Sequence, residues 1–185
     1  MWKFVFLHVN ILMLGVVHGN VCIPLFWVLL GKAGNSNARE RIDLMARLRE
    51  VFPEQPVASL SGDREFIGER WMNWLHKQGI PFVLRLKENM FVCNEEHVPV
   101  KLSAHARHLK KRQSRILKGT WYLGRDPAKP ATPVKIAMLR LKTGEMLIVA
   151  ASGIRIKAAL AIYRNRWSIE TLFSCLKTRG LGLED

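Results

Sequence analysis

The chain has 185 residues, the length of one domain with room for an insertion, and its 49% apolar and 24% charged residues exclude disorder over most of it. Twenty-nine Lys and Arg against fifteen Asp and Glu leave a net charge of +14, which points to a polyanionic partner, nucleic acid before membrane. Three distant cysteines (Cys22, Cys93, Cys175) exclude a disulfide framework or a Cys-x-x-Cys zinc site and suit a reducing cytoplasm.

The chain opens on an apolar run from Phe4 to Leu30 that could be read as a signal peptide or a membrane span. His8, Asn10, His18 and Asn20 interrupt it, and no small-x-small cleavage site follows. The expectation is instead two buried strands, roughly 4–17 and 21–30, joined at Val17-His18-Gly19-Asn20 within a covered sheet. A loop over 31–36 leads to a helix ending near Phe52, capped by Asn35, Ser36 or Asn37, with Ile42, Leu44, Met45, Leu48 and Val51 at helical spacing. Val57 to Leu60 reads as a short buried strand and 65–78 as a helix burying Phe66, Ile67, Trp71, Trp74 and Leu75 and stopping at Gly79. Pro81 to Leu86 is a further strand. Residues 91–150 hold short β-like runs at 98–102, 120–123, 134–141 and 146–150, and a final helix spans about 155–178, ended by Gly180. The order predicts an α/β layered domain carrying an insert.

The charge is concentrated. Residues 101–142 carry twelve basic side chains and one acid, Asp126. The densest part includes Arg107, Lys110, Lys111, Arg112, Arg115 and Lys118, with Trp121 and Tyr122 just behind. Such a run is either a solvated face or a track for a nucleic-acid backbone.

Two carboxylates stand where chemistry would want them. Asp63 follows a short apolar strand, at the end of a strand where open α/β sheets bind ligands; the plainer reading is a turn or helix-capping Asp. Glu170 lies in the final helix, where at about 100° per residue Tyr163, Arg166, Glu170 and Lys177 form one narrow stripe. Its plainer reading is an i,i+4 pair between Arg166 and Glu170 on an ordinary amphipathic helix.

Tyr163-x2-Arg166-x3-Glu170-x6-Lys177 resembles the YREK signature of bacterial insertion-sequence transposases with a DDE active site, within a Tyr163-Arg164-Asn165-Arg166-Trp167-Ser168-Ile169-Glu170 segment typical of that family. Asp63-Arg64-Glu65-Phe66-Ile67-Gly68 is similar to the segment carrying its second acidic residue, and Asn10 to Leu14, Ile23 to Trp27 and Gly34 to Asn37 to its early hairpin and loop. The resemblance implies a ribonuclease-H-like mixed sheet with flanking helices, formed by residues 1–90 and 151–185, and a basic β-rich insertion over 91–150. It implies DNA cleavage and transfer of the freed 3′-OH to target DNA, with Mg²⁺ (or Mn²⁺) held by Asp63 and Glu170 as catalytic carboxylates. Tyr163, Arg166 and Lys177 would contact phosphates, Lys110, Lys111 and Arg112 would extend the DNA track, and Trp121 would stack on an unpaired base. The implied partners are double-stranded DNA, both transposon ends and target, and a second copy in a synaptic dimer. The implied location is the bacterial cytoplasm at the nucleoid, away from membrane.

One departure qualifies this. The family's first catalytic Asp precedes the position of Trp2-Lys3-Phe4, and here no Asp precedes Asp43. The expectation is a truncated member lacking the first strand, inactive alone and weakly stable. The alternatives are a non-catalytic DNA-binding remnant, or a small basic membrane or exported protein if the 4–30 run is inserted.

Overall fold

The apolar run near the amino terminus folds as strands in the computed structural model, which describes residues 2–4, 7–96, 98–124 and 132–176, with side chains from residue 10 onward. Strands β1 (Trp2–Phe4), β2 (Leu7–His18) and β3 (Val21–Leu30) pair antiparallel in that order as a sheet of their own. The single strand expected over 4–17 is therefore two, because antiparallel pairing of Phe4 with Leu7 reverses the chain within it. The β2–β3 turn falls where it was expected, with His18 facing Val21 and Gly19 at φ 59°, a left-handed conformation that hairpin turns favour and glycine adopts without strain. Among the described residues no helix is long and apolar enough to cross a membrane.

Helix α1 (Ala38–Val51) begins at Asn37, whose side chain accepts from the Glu40 amide at 3.0 Å while Glu40 accepts from the Asn37 amide at 2.7 Å. This reciprocal cap selects Asn37 among the three expected candidates. The helix packs on β3, as does α5 (Trp167–Cys175). That covered side carries Cys22, Phe26 and Leu30, all buried. Phe26 meets Phe52 edge-on at 6.4 Å and lies under the Arg47 guanidinium at 5.0 Å. The expectation of strands buried on both faces is not met: Val21, Ile23, Trp27 and Leu29 are each at least half exposed. Alternation along β3 sends one set of side chains to the helices and the other to the open face.

Contacts divide the chain into two compact units: Met1–Pro56 with Arg164–Asp185, and Val57–Tyr163. The second unit is built on a mixed sheet. Its members are β4 (Leu60–Gly62), β5 (Phe82–Leu86), β6 (Phe91–Cys93), β7 (Pro99–Lys101), β8 (Ser114–Ile116), β9 (Trp121–Leu123), β10 (Pro133–Arg140) and β11 (Met146–Ser152). The order is β4-β5-β11-β10-β9-β6-β7, with β8 also on β10. β4 and β5 run parallel, and the other pairs are antiparallel. Phe82, Val83, Leu84 and Leu86 of β5 are almost wholly buried, as are Ile148, Val149 and Ala150 of β11 and Ile136, Ala137 and Met138 of β10. Near-continuous apolar runs of this kind mark strands covered on both faces.

Four other expectations are revised. The strand expected at 57–60 forms three residues later, at β4. The helix expected over 65–78 is a 3-10 turn (Arg64–Phe66) followed by α2 (Glu69–Lys77), because Ile67 and Gly68 are extended between them. Leu102, expected to end a strand, begins the short helix α3 (Leu102–Ala106), whose buried Leu102 and Ala106 stand one helical turn apart. The final helix breaks into α4 (Ile156–Arg164) and α5, so Tyr163 does not share one continuous helix with Arg166 and Glu170. At the break the Ser168 hydroxyl donates to the Asn165 carbonyl at 2.9 Å, and the Ile169 amide turns to Arg166 instead, a three-residue bond that ends the regular ladder.

Candidate active site

Asp63 stands one residue past β4, at the carboxyl end of a strand paired parallel with β5. Gly62 is required there: a Cβ would come within 2.9 Å of both Leu84 and Phe66. The close approach of the 3-10 turn to β5 fixes the direction in which Asp63 leaves the strand. Its Oδ1 accepts from the Arg64 amide at 2.8 Å and from the Tyr163 hydroxyl at 3.2 Å. The capping role and the exposed carboxylate are therefore one arrangement, since the Asp63 side chain keeps 33% exposure.

Arg85 lies beside it. It projects from β5 with its side chain 12% exposed, placing Nη1 3.9 Å from Asp63 Oδ1, while Nη2 donates to Glu145 Oε1. Arg64 Nη2 is 4.0 Å from the same Glu145 oxygen. Two carboxylates and two guanidiniums thus alternate around the end of β4, with the Tyr163 hydroxyl as a neutral fifth member. Tyr163 is 2% exposed, packed in a cluster with Val83, Ala137, Val149, Ala151 and Ala159. Burial turns its hydroxyl to Asp63 in place of the outward phosphate contact expected from the sequence.

Glu170 lies on α5, where its Oε1 accepts from Arg166 Nη2 at 2.7 Å. The i,i+4 pair expected as the plainer reading is present. Its partners differ in setting, the Arg166 side chain being 13% exposed and that of Glu170 44%. Lys177 and Gly180 lie outside the described residues. Among the described residues no group of three or more His, Cys, Asp or Glu comes together. Taken singly, Asp63 and Glu170 are each hard oxygen donors, the ligand type that a hard divalent ion prefers.

The basic stretch has its own structure. Lys110, Lys111 and Arg112 are exposed on a tight turn ahead of β8. Arg112 takes φ 67°, and its amide donates to the Arg140 carbonyl at 2.7 Å. Arg140 secures the turn from below, donating to the carbonyls of Leu109 at 2.6 Å, Gly144 at 3.0 Å and Ala106 at 3.3 Å. Trp121 lies elsewhere than expected: it is 8% exposed, meets His105 edge-on at 5.0 Å and donates its Nε1–H to the Lys118 carbonyl. Held in this way, its ring is unavailable as a stacking platform for a base.

The family described as the transposase DDE domain matches residues 13–185. The chain belongs to that family. No curated protein matches it. Among solved structures it is similar in fold to a piggyBac transposase, seen by cryo-electron microscopy as a synaptic complex with hairpin DNA, at TM-score 0.56 and 12% identity. The similarity covers 91% of this chain and 34% of that one, so the chain spans about a third of its length. The α/β class expected from the sequence, a ribonuclease-H-like mixed sheet with flanking helices, agrees with this transposase fold. DDE domains in general depend on a divalent metal ion.

Arg85 and Glu145 were not reached from the sequence of this DDE domain. A signal for Arg85 existed: it is the sole charge in the otherwise apolar strand Phe82-Val83-Leu84-Arg85-Leu86, and a charge so placed must find a partner. Glu145 gave none, because its partner lies 60 residues away in sequence.

Proposed function

We propose that this chain forms part of the catalytic core of a DNA transposase, an enzyme that hydrolyses a phosphodiester at an element's end and joins the 3′-OH to target DNA. The observation that carries the reading is Asp63 at the carboxyl end of β4, in a chain matched to the DDE domain over residues 13–185. Asp63 and Glu170 are the carboxylates that would hold Mg²⁺ (or Mn²⁺). Bound there, the ion would stabilise the charge that develops on the attacking and leaving oxygens of an in-line displacement. Tyr163 and the Arg64 amide fix the orientation of Asp63, and Arg166 does the same for Glu170. Arg166 and Lys177 would also hold phosphates of the element's end, and Lys110, Lys111 and Arg112 would carry the flanking duplex. Duplex DNA is the proposed partner, with a second copy of the chain in the synaptic assembly and the bacterial nucleoid as the site of action.

Mg²⁺-dependent nicking of supercoiled plasmid, measured beside Mn²⁺ binding, tests this. Glu170→Gln and Asp63→Asn should each abolish any nicking the chain retains and weaken Mn²⁺ binding at least about tenfold, since each removes a charged ligand. Nicking and binding that survive both substitutions would refute the assignment. A second reading, a DNA-binding protein without catalysis, is favoured by the exposed basic turn alone. It predicts DNA affinity with no Mn²⁺ site.

A further inference from the structure

We infer that Arg85 is an exchangeable cation at Asp63, and that Glu145 is the counter-anchor that draws it aside so a divalent ion can take its place. The inference rests on the reading of Asp63 as a metal ligand. A guanidinium facing a carboxylate prefers two parallel hydrogen bonds to the same group. Here the fork is split. Nη2 donates to Glu145, while Nη1 stays 3.9 Å from Asp63, attracted but beyond hydrogen-bond length. The Arg85 Nε is buried with no hydrogen-bond partner, so the group is not settled in a fully satisfied pair.

The surroundings give the split a direction. Asp63 Oδ1 accepts from two uncharged donors, the Tyr163 hydroxyl and the Arg64 amide, which orient the carboxylate. Arg85 supplies positive charge at a distance, which lowers the cost of a carboxylate in a partly buried place. A divalent ion arriving at Asp63 would be repelled by Arg85 at that range. Arg85 extends from a buried strand and cannot withdraw into water, but it can move its weight onto Glu145, which is 51% exposed on the β10–β11 connection. Glu145 thus sets how readily Asp63 exchanges one cation for another.

The test is Mn²⁺ binding to the intact chain, read from the paramagnetic resonance of free Mn²⁺. Arg85→Gln should tighten binding about two- to fivefold, and Glu145→Gln, which releases Arg85 onto Asp63, should weaken it by a similar factor, the range expected for partly exposed ion pairs. In the Arg85→Gln background, Glu145→Gln should have little effect, because the residue through which it acts is gone. A merely structural role would weaken binding in both single variants. A purely additive double variant would mean that Glu145 acts by its own charge, and would overturn the inference.

Asp63→Asn separates the two levels. Unchanged Mn²⁺ binding in that variant defeats the reading of Asp63 as ligand. A weakened Asp63→Asn beside an Arg85→Gln that fails to tighten defeats only the exchange. Should Arg85→Gln not fold, the Arg85 Nε–H resonance of the unmodified chain carries the test. It should move with added Mg²⁺, and Glu145→Gln should raise the concentration required; a resonance that does not move overturns the proposal.

Discussion

Asp63 shows how one side chain can satisfy the backbone and still present a reactive group. An oxygen bonded to the Arg64 amide and the Tyr163 hydroxyl has its direction fixed before any ligand arrives, and fixed donors cost no reorganisation when charge appears. The residue was legible in the sequence because a short apolar strand runs into it. Its partners were not, since Tyr163 is 100 residues away and comes from a helix whose register the sequence places differently. His105 carries a different consequence of burial. Its ring lies against Trp121, its Nε2 has no hydrogen-bond partner, and burial, aided by the Arg115 charge, holds its pKa below the ordinary value. The folded chain therefore keeps His105 neutral where the unfolded chain protonates it. Stability from this group is fully present above the unfolded value of about 6.5 and is lost as pH falls toward the folded one. Urea unfolding at pH 7.5 and 5.5 should give a lower midpoint at the acid end, and His105→Gln should shrink the difference. An equal difference in the variant would place the effect on other groups.

At the level of elements, local signals succeeded where the deciding interaction is short in sequence. The hairpin turn, α1 and β5 all depend on residues within a few positions of one another. The failures share a cause: the break between α4 and α5 comes from a Ser168 hydroxyl competing for a helix carbonyl, which apolar spacing does not register. Likewise, apolar residues on both faces of β3 could not reveal which face the helices cover. The cap of α1 yields a measurable consequence. Asn37 and Glu40 satisfy each other's amides, and Glu40 also pairs with Lys32 at 2.8 Å. The hydrogen bond from Lys32 and then that from the Asn37 amide hold the Glu40 carboxyl below its ordinary range. Asn37→Ala should lower stability by about 1 kcal/mol in chemical denaturation, the usual worth of an N-cap. Asn37→Gly should lose only a few tenths, because glycine tolerates the extended cap geometry. Equal losses would show that the cap bond is not what stabilises the helix.

On the scale of the whole molecule, the excess charge becomes functional only through where the fold presents it. A run of twelve basic residues could have been spread over a solvated surface, yet at least two of them serve the structure: Arg140 holds three carbonyls, and Lys135 bonds to Gly119 and Thr120. Lys110, Lys111 and Arg112 are left exposed on a turn that Arg140 keeps in shape. A rigid cationic turn loses little entropy on meeting a phosphate backbone, so its charges should register nearly in full in the salt dependence of binding. Each phosphate neutralised contributes a slope of about −0.9 in log K against log salt on duplex DNA. Replacing all three by Gln should therefore make the slope shallower by about 2 to 3 and weaken binding at low salt far more than at high salt. Arg140→Gln should leave the formal charges of the turn intact but loosen it, reducing affinity with a smaller change in slope than its single lost charge implies for a phosphate contact. If the triple variant keeps the original slope, DNA passes over another face, and the turn is a solvated edge of the sheet.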